Sequence, residues 1–205
     1  MEISFYLKGL IIGFSIAAPV GPIGVLCIRR TLAEGRTSGL ASGLGAASAD
    51  AFYGCIAGFG LTIVSGFLIG QQIWLRVIGG IFLCYLGVKT FLSRPAQQAA
   101  SSGGNGLIGV YASTFFLTLT NPMTILSFVG IFAGLGVASI HGNLISAGIL
   151  VFGVFSGSAL WWLLLSSGVG LFREKFNSSG LGWINKISGI IITAFGLVAL
   201  LSLIG

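Results

Sequence analysis

Six long apolar runs, near residues 5–28, 38–60, 64–91, 108–136, 144–170 and 182–203, alternate with short polar clusters along the chain. Each run supplies at least the roughly 20 apolar residues that a helix needs to cross a bilayer. The pattern therefore predicts an all-α integral membrane protein of six transmembrane helices, with little chain left for loops. The polar clusters between the runs are RRTLAEGRTS (29–38), VSGFLIGQQ (64–72), SRPAQQAASSGGNG (93–106), SIHGN (139–143) and REKFNSSG (173–180).

Composition agrees with this reading. Of 205 residues, 55% are hydrophobic and 7% charged, with a mean hydropathy of +1.05, where soluble domains carry about 25% charged residues. The net charge of +6 would suggest nucleic acid in a soluble protein; here the basic residues cluster between apolar runs and read as topology signals, with no nucleic-acid partner. The first, third and fifth connections hold Arg29, Arg30, Arg36, Lys89, Arg94, Arg173, Lys175 and Lys186, against Lys8 and Arg76 on the other side. By the positive-inside rule the odd connections face the cytoplasm and both termini face outward. Two halves of three helices, residues 1–92 and 107–205 joined by a cytoplasmic linker at 93–106, would then form a 3+3 inverted repeat.

Glycine accounts for 34 residues, many at a spacing of four, such as Gly9 and Gly13 or Gly153 and Gly157. In lipid such stripes let helices approach closely, because packing replaces the hydrophobic force that water supplies elsewhere. Cys27, Cys55 and Cys84 all fall within predicted spans and make no CxxC or zinc pattern, so they read as small core residues, with no metal or cofactor expected. Ala17-Ala18 before Pro19 resembles a signal-peptidase site. The leading segment is not strongly basic, however, and the apolar run continues past the cut to Ile28, so it is read as the first helix.

Within this apolar background a few residues are out of place. Pro19, Gly21 and Pro22 interrupt helix 1, and Asn121-Pro122 interrupts helix 4, its counterpart in the second half. Each proline removes a backbone donor and opposes the preceding helical turn, while Asn or Gly followed by Pro is a helix-start signal. Helices 1 and 4 are thus expected to be broken at Pro19–Pro22 and Asn121–Pro122. The new half-helix N-termini would present amides suited to a carboxylate, and unwound carbonyls could receive an ammonium. The bland alternative is a pair of kinked helices satisfied by their neighbours.

Asp50 is the one acidic residue inside a span. Inserting a charge there costs about 2.5–3.5 kcal/mol on insertion scales. A carboxyl held at such cost is a candidate proton carrier, with Tyr53, one turn on, as a hydrogen-bonding partner. It could also be a simple interhelical bond. Thr114, Thr118 and Asn121 share one face of helix 4 and could line a polar path to Asp50, although threonine hydroxyls also bond back to their own helix. Trp74 and Trp183 fit interfacial anchors, whereas Trp161 and Trp162 fit either lipid-facing anchors or cavity walls. His141 reads as a polar loop residue.

The stretches APVGPIGVLCIRRTLAEGR, GLASGLGAASAD and LTLTNPMTILSF resemble the LysE-type translocators, the lysine-exporter and homoserine-lactone-exporter family of bacterial amino-acid efflux proteins. The resemblance covers essentially the whole chain and is most specific from Pro19 to Asp50. It implies a six-helix, multi-pass protein of the bacterial inner membrane that exports amino acids or related small metabolites, driven by proton exchange; the two breaks and Asp50 would then form one site working by alternating access. Carried over by position, the family's proline-glycine-proline motif falls on Gly21 and Pro22, its helix 2 acid on Asp50 and its Asn-Pro motif on Asn121 and Pro122. Val20 stands where many members have the first proline, and Pro19 lies one residue earlier. The implied partners are the cargo, protons and the lipid bilayer, with a homo-oligomer one arrangement open to the chain. Arg29, Arg30 and Arg36 are read as orienting residues. Two other functions remain as alternatives, soft-metal cation export through the three thiols and membrane conduction of thiol reducing equivalents. A hydrolytic enzyme lacks its chemistry here, since the single His lies in a loop and the spans hold no carboxylate pair.

Overall fold

The computed structural model describes residues 2–19, 21–58, 70–92, 106–121, 124–125, 127–128, 144–172 and 178–203. They form seven helices: α1 (Glu2–Ala17), α2 (Pro22–Glu34), α3 (Arg36–Gly58), α4 (Gln72–Leu92), α5 (Gly106–Leu119), α6 (Leu144–Gly170) and α7 (Ser178–Leu201). By length and composition α6 and residues Gly180–Leu201 of α7 are apolar enough to cross a membrane, and α1 with α2 qualifies as one bent span. The outward surface is apolar as lipid requires: Leu7, Ile11, Ile78, Ile108, Phe116, Phe152, Leu164, Ile190 and Val198 are all exposed. Trp74 and Trp183 are exposed as well, in keeping with anchors at the membrane interface.

The expected interruption of the first span is present. α1 ends at Ala17, α2 starts at Pro22, and their axes are bent by 80° across the break. Proline lacks the donor that the ladder would need, and it sits at the first helical position, where none is required. Gly21 is the N-cap, with φ −107° and ψ −164°, an extended backbone open to any residue. Packing does not require the absence of a side chain either, since a Cβ there would meet nothing within 4 Å.

α2 differs from every other helix in that none of its residues is exposed. It packs chiefly against α3, with α7 and α6 next. This corrects the reading of residues 29–38 as a polar connection. The helix runs on through Arg29 and Arg30 to Glu34, and α3 starts at Arg36, leaving Gly35 alone between them. Gly35 has φ 106°, which only glycine adopts without strain. The other expected connections fall wholly or largely outside the described residues, as do Val20, Pro122 and His141.

Close packing follows the glycine stripes. α1 lies along α6, where a Cβ at Gly13 would overlap the Val154 backbone and one at Gly157 the Leu10 backbone, with Gly9 and Gly153 in mutual contact. α4 lies along α7 in the same manner, through Gly80 and Gly87 against Gly196 and Gly189. α3 is held between α6 and α5.

Candidate functional site

Beside the break in the first span lies a cavity of about 60 Å³, large enough for water. Pro19, Gly21, Pro22, Asp50, Thr118 and Asn121, six of the residues singled out in the sequence, line this one cavity. Pro22 begins α2, and the intrahelical ladder starts with the Val25 amide donating to the Gly21 carbonyl at 3.1 Å. The Ile23 and Gly24 amides lie ahead of that bond, in residues that also line the cavity, at the partially positive end of the helix.

The second interruption reaches the same cavity. α5 ends at Leu119, and the Thr124 and Ile125 amides donate to the Asn121 carbonyl at 3.1 and 3.2 Å. A helical turn therefore starts at Asn121, as a cap position followed by proline implies. Thr124, which the sequence did not single out, lines the cavity beside Asn121.

Asp50 sits on α3 with 3% exposure. Its Oδ2 accepts a 2.7 Å hydrogen bond from Ser158 Oγ on α6, and Ser158 Oγ in turn accepts from Trp162 Nε1 at 3.2 Å. This arrangement settles the place of the tandem tryptophans. Trp162 is buried and forms part of the cavity wall, while Trp161 stacks edge-on against Phe14 at 5.3 Å. Ser158 was not legible in advance; the signal was its spacing of four from Trp162, on the face that meets α3.

Tyr53 does not bond to Asp50, which corrects that expectation. Its hydroxyl donates to the Leu119 carbonyl. Leu119 ends α5, where terminal carbonyls lack intrahelical partners, and the longer phenol reaches this acceptor. Tyr53 thus ties α3 to the second interruption. Thr118 Oγ1 bonds back to the Thr114 carbonyl at 2.9 Å, and Thr114 Oγ1 to the Val110 carbonyl at 3.0 Å.

The three arginines read as orienting residues separate in space. Arg36 is exposed at the start of α3, whereas Arg29 and Arg30 are buried and hold neighbouring helices. Arg29 Nε donates to Asn185 Oδ1 on α7 at 3.1 Å, and its Nη1 pairs with Glu34 at 3.2 Å. Arg30 reaches α3 and α5. Neither lines the cavity.

Replacing Ser158 with Ala removes the donor to Asp50. Interhelical bonds of this kind average about 0.6 kcal/mol, with a maximum near 1.7 kcal/mol. Ser158→Ala should therefore lower the stability of the purified protein in detergent by that modest amount, read as the midpoint of thermal unfolding.

The cysteines do not converge. Cys27 Sγ contacts the Gly39 carbonyl at 3.3 Å and Ser166 Oγ at 3.5 Å, and Cys84 Sγ faces the Thr193 carbonyl at 4.0 Å. All three thiols are free, and among the described residues no cluster of three or more His, Cys, Asp or Glu side chains is placed to hold a metal ion.

Two chains of Bacillus subtilis (strain 168) are similar along most of their length. One, named "Putative amino acid efflux protein YcgF", is 26% identical over 197 residues, covering 94% of this chain and 93% of its own. The other, named "Uncharacterized membrane protein YrhP", is 26% identical over 185 residues, covering 84% and 87%. No solved structure matches the chain. The sequence profile of the LysE type translocators matches residues 14–203, both interruptions and Asp50 included, and the protein belongs to that family.

Proposed function

We propose that the protein is a secondary active exporter of amino acids or related small metabolites, coupled to protons and working by alternating access. The observation that carries this reading is the meeting of two interrupted segments and one buried carboxyl in a single cavity, within a family of translocators. Membership of that family favours a transporter over an enzyme, and the name of the YcgF relative favours amino-acid cargo. The helix end at Ile23 and Gly24 suits a cargo carboxylate, and Asp50 suits either a cargo ammonium or an exchanged proton.

The proposal includes a six-span architecture of two inverted halves, 1–92 and 107–205, with 93–106 as a cytoplasmic linker. α1 and α2 serve as the first span, α3, α4, α6 and α7 as the second, third, fifth and sixth, and α5 opens the fourth. Helix pairing supports it. Exchanging the halves turns the α1–α6 pair into the α5–α3 pair and returns α3–α6 and α4–α7 to themselves, and among the described residues these are the four most extensive helix pairings. The bacterial inner membrane, outward termini, protons as the coupling ion and a homo-oligomer belong to the same proposal.

The cargo is named by comparing intracellular and secreted metabolites of strains with and without the gene, under a dipeptide load. A pool that accumulates only without the gene identifies it; unchanged pools across the amino acids contradict the reading. Export that persists after Cys27, Cys55 and Cys84 are all replaced is also expected. Loss of function in that protein, while it remains folded, would favour the thiol-redox reading. Metal sensitivity of a strain lacking the gene would favour soft-cation export.

A further inference from the structure

Between the cavity and the end of the bundle that carries Arg29, Arg30 and Arg36 runs a track of regularly spaced residues. On α3, Asp50, Ala46 and Ser42 recur every four positions and share a face, as do Thr118, Thr114 and Val110 on α5. The upper members, Asp50, Ala46 and Thr118, line the cavity. The lower members, Ser42, Thr114 and Val110, all meet one side chain, Arg30. Its Nη1 donates to Ser42 Oγ at 2.9 Å, Thr114 Oγ1 at 2.7 Å and the Val110 carbonyl at 3.1 Å, and its Nη2 to Ser113 Oγ at 2.9 Å. Two helical turns, about 12 Å along α3, separate this guanidinium from Asp50. Ala46, between Ser42 and Asp50 on α3, and Leu117, between Thr114 and Thr118 on α5, belong to one apolar cluster with Leu26.

Arg30 is 7% exposed, and among the described residues it forms no ion pair, since Glu34 pairs with Arg29. A residue serving only to mark the cytoplasmic side would keep its charge in water, because burying it costs solvation. Here the guanidinium crosses from α2 to α5, and its hydrogen bonds among the described residues all go to neutral oxygens. Such bonds close the way between the helices, yet water can replace them without stranding a buried carboxylate. Arg29 holds the opposite flank of α2 to Asn185 of α7, so a shift of α2 away from α5 must break the Arg30 bonds.

We propose that Arg30 is the gate that closes the path from the cavity to the arginine-bearing face, latching α2 to α5 until the cycle opens that side. The proposal rests on the reading of the cavity as the transport site. It is tested with a reporter thiol, Gly21→Cys, in the full chain with Cys27, Cys55 and Cys84 replaced. Gly21 lines the cavity and its added Cβ has open space. A membrane-impermeant thiol reagent is applied to vesicles from each side in turn, with Arg30 present and with Arg30→Gln.

The expected result is labelling from the arginine-bearing side that is about tenfold faster in Arg30→Gln, within the usual range of coupling between sites, with the rate from the opposite side unchanged. Arg30→Lys, which keeps the charge but loses the planar fork of donors, should fall between. An unchanged rate from the arginine-bearing side, or an equal rise from both sides, overturns the gate. Gly21→Cys that reacts from neither side in either background contradicts the transport-site reading instead. If Arg30→Gln does not accumulate in the membrane, the pair Ser113→Ala and Thr114→Val removes the two α5 hydroxyl acceptors, leaving the Val110 carbonyl and the cation in place, and the same two outcomes decide.

Discussion

Asp50→Asn should reach the membrane in normal amounts and lose export. Asn is close to Asp in size, and its side-chain oxygen can accept the bond that Ser158 Oγ now donates to Oδ2 at 2.7 Å. The fold therefore keeps its partner at this point while the proton-carrying group is gone. Exchange of cargo for protons is a coupling between two ligands, and couplings of 1–3 kcal/mol correspond to about 5–150-fold. Efflux from loaded proteoliposomes should fall within that range, and the residual flux should no longer respond to an imposed pH difference. Flux by Asp50→Asn that equals the parent protein and still follows the pH difference would remove Asp50 from the coupling.

The second large effect concerns assembly. Gly13→Leu should prevent the native bundle from forming, because a Cβ at Gly13 already overlaps the Val154 backbone of α6. A leucine side chain cannot be fitted by rotamer change when the obstacle is backbone. The helices must separate, and α1 loses the contacts that position the break against the cavity. Overpacking typically costs about 1–3 kcal/mol, occasionally more, and the reciprocal contact of Gly157 with Leu10 places this site at the upper end. The expected readout is a large loss of folded protein after detergent extraction. Gly148→Ala on α6, where an added Cβ meets nothing within 4 Å, should behave as the parent protein.

Much of the lining of the candidate site was legible in the sequence, for a physical reason. In a chain with 7% charged residues, a carboxyl or a proline inside an apolar run carries a cost that stands out. Pro19, Pro22, Asp50 and Asn121 were recognisable on those grounds, and the glycine pairs on α1 and α6 by their spacing. Ser158 and Thr124 were not, because a serine or threonine in a membrane helix has the same appearance whether it packs, bonds to its own carbonyls or serves a site. The burial of Arg29 and Arg30 was hidden for a related reason. Basic residues at the end of an apolar run match a topology signal, and three of the four groups that Arg30 bonds lie 80 or more positions away on α5. Tyr53 was placed on the correct face of α3, but its acceptor exists only because α5 stops at Leu119.

The central claim is that the cavity beside the first-span break is the place where cargo resides. The most direct test is transport by the Gly21→Cys protein lacking its native cysteines, before and after reaction with a bulky thiol reagent, beside a Phe152→Cys control on the lipid-facing surface of α6. The account predicts that modification at position 21 stops export and that modification at position 152 leaves it intact. Export that continues at full rate with position 21 completely modified would contradict it.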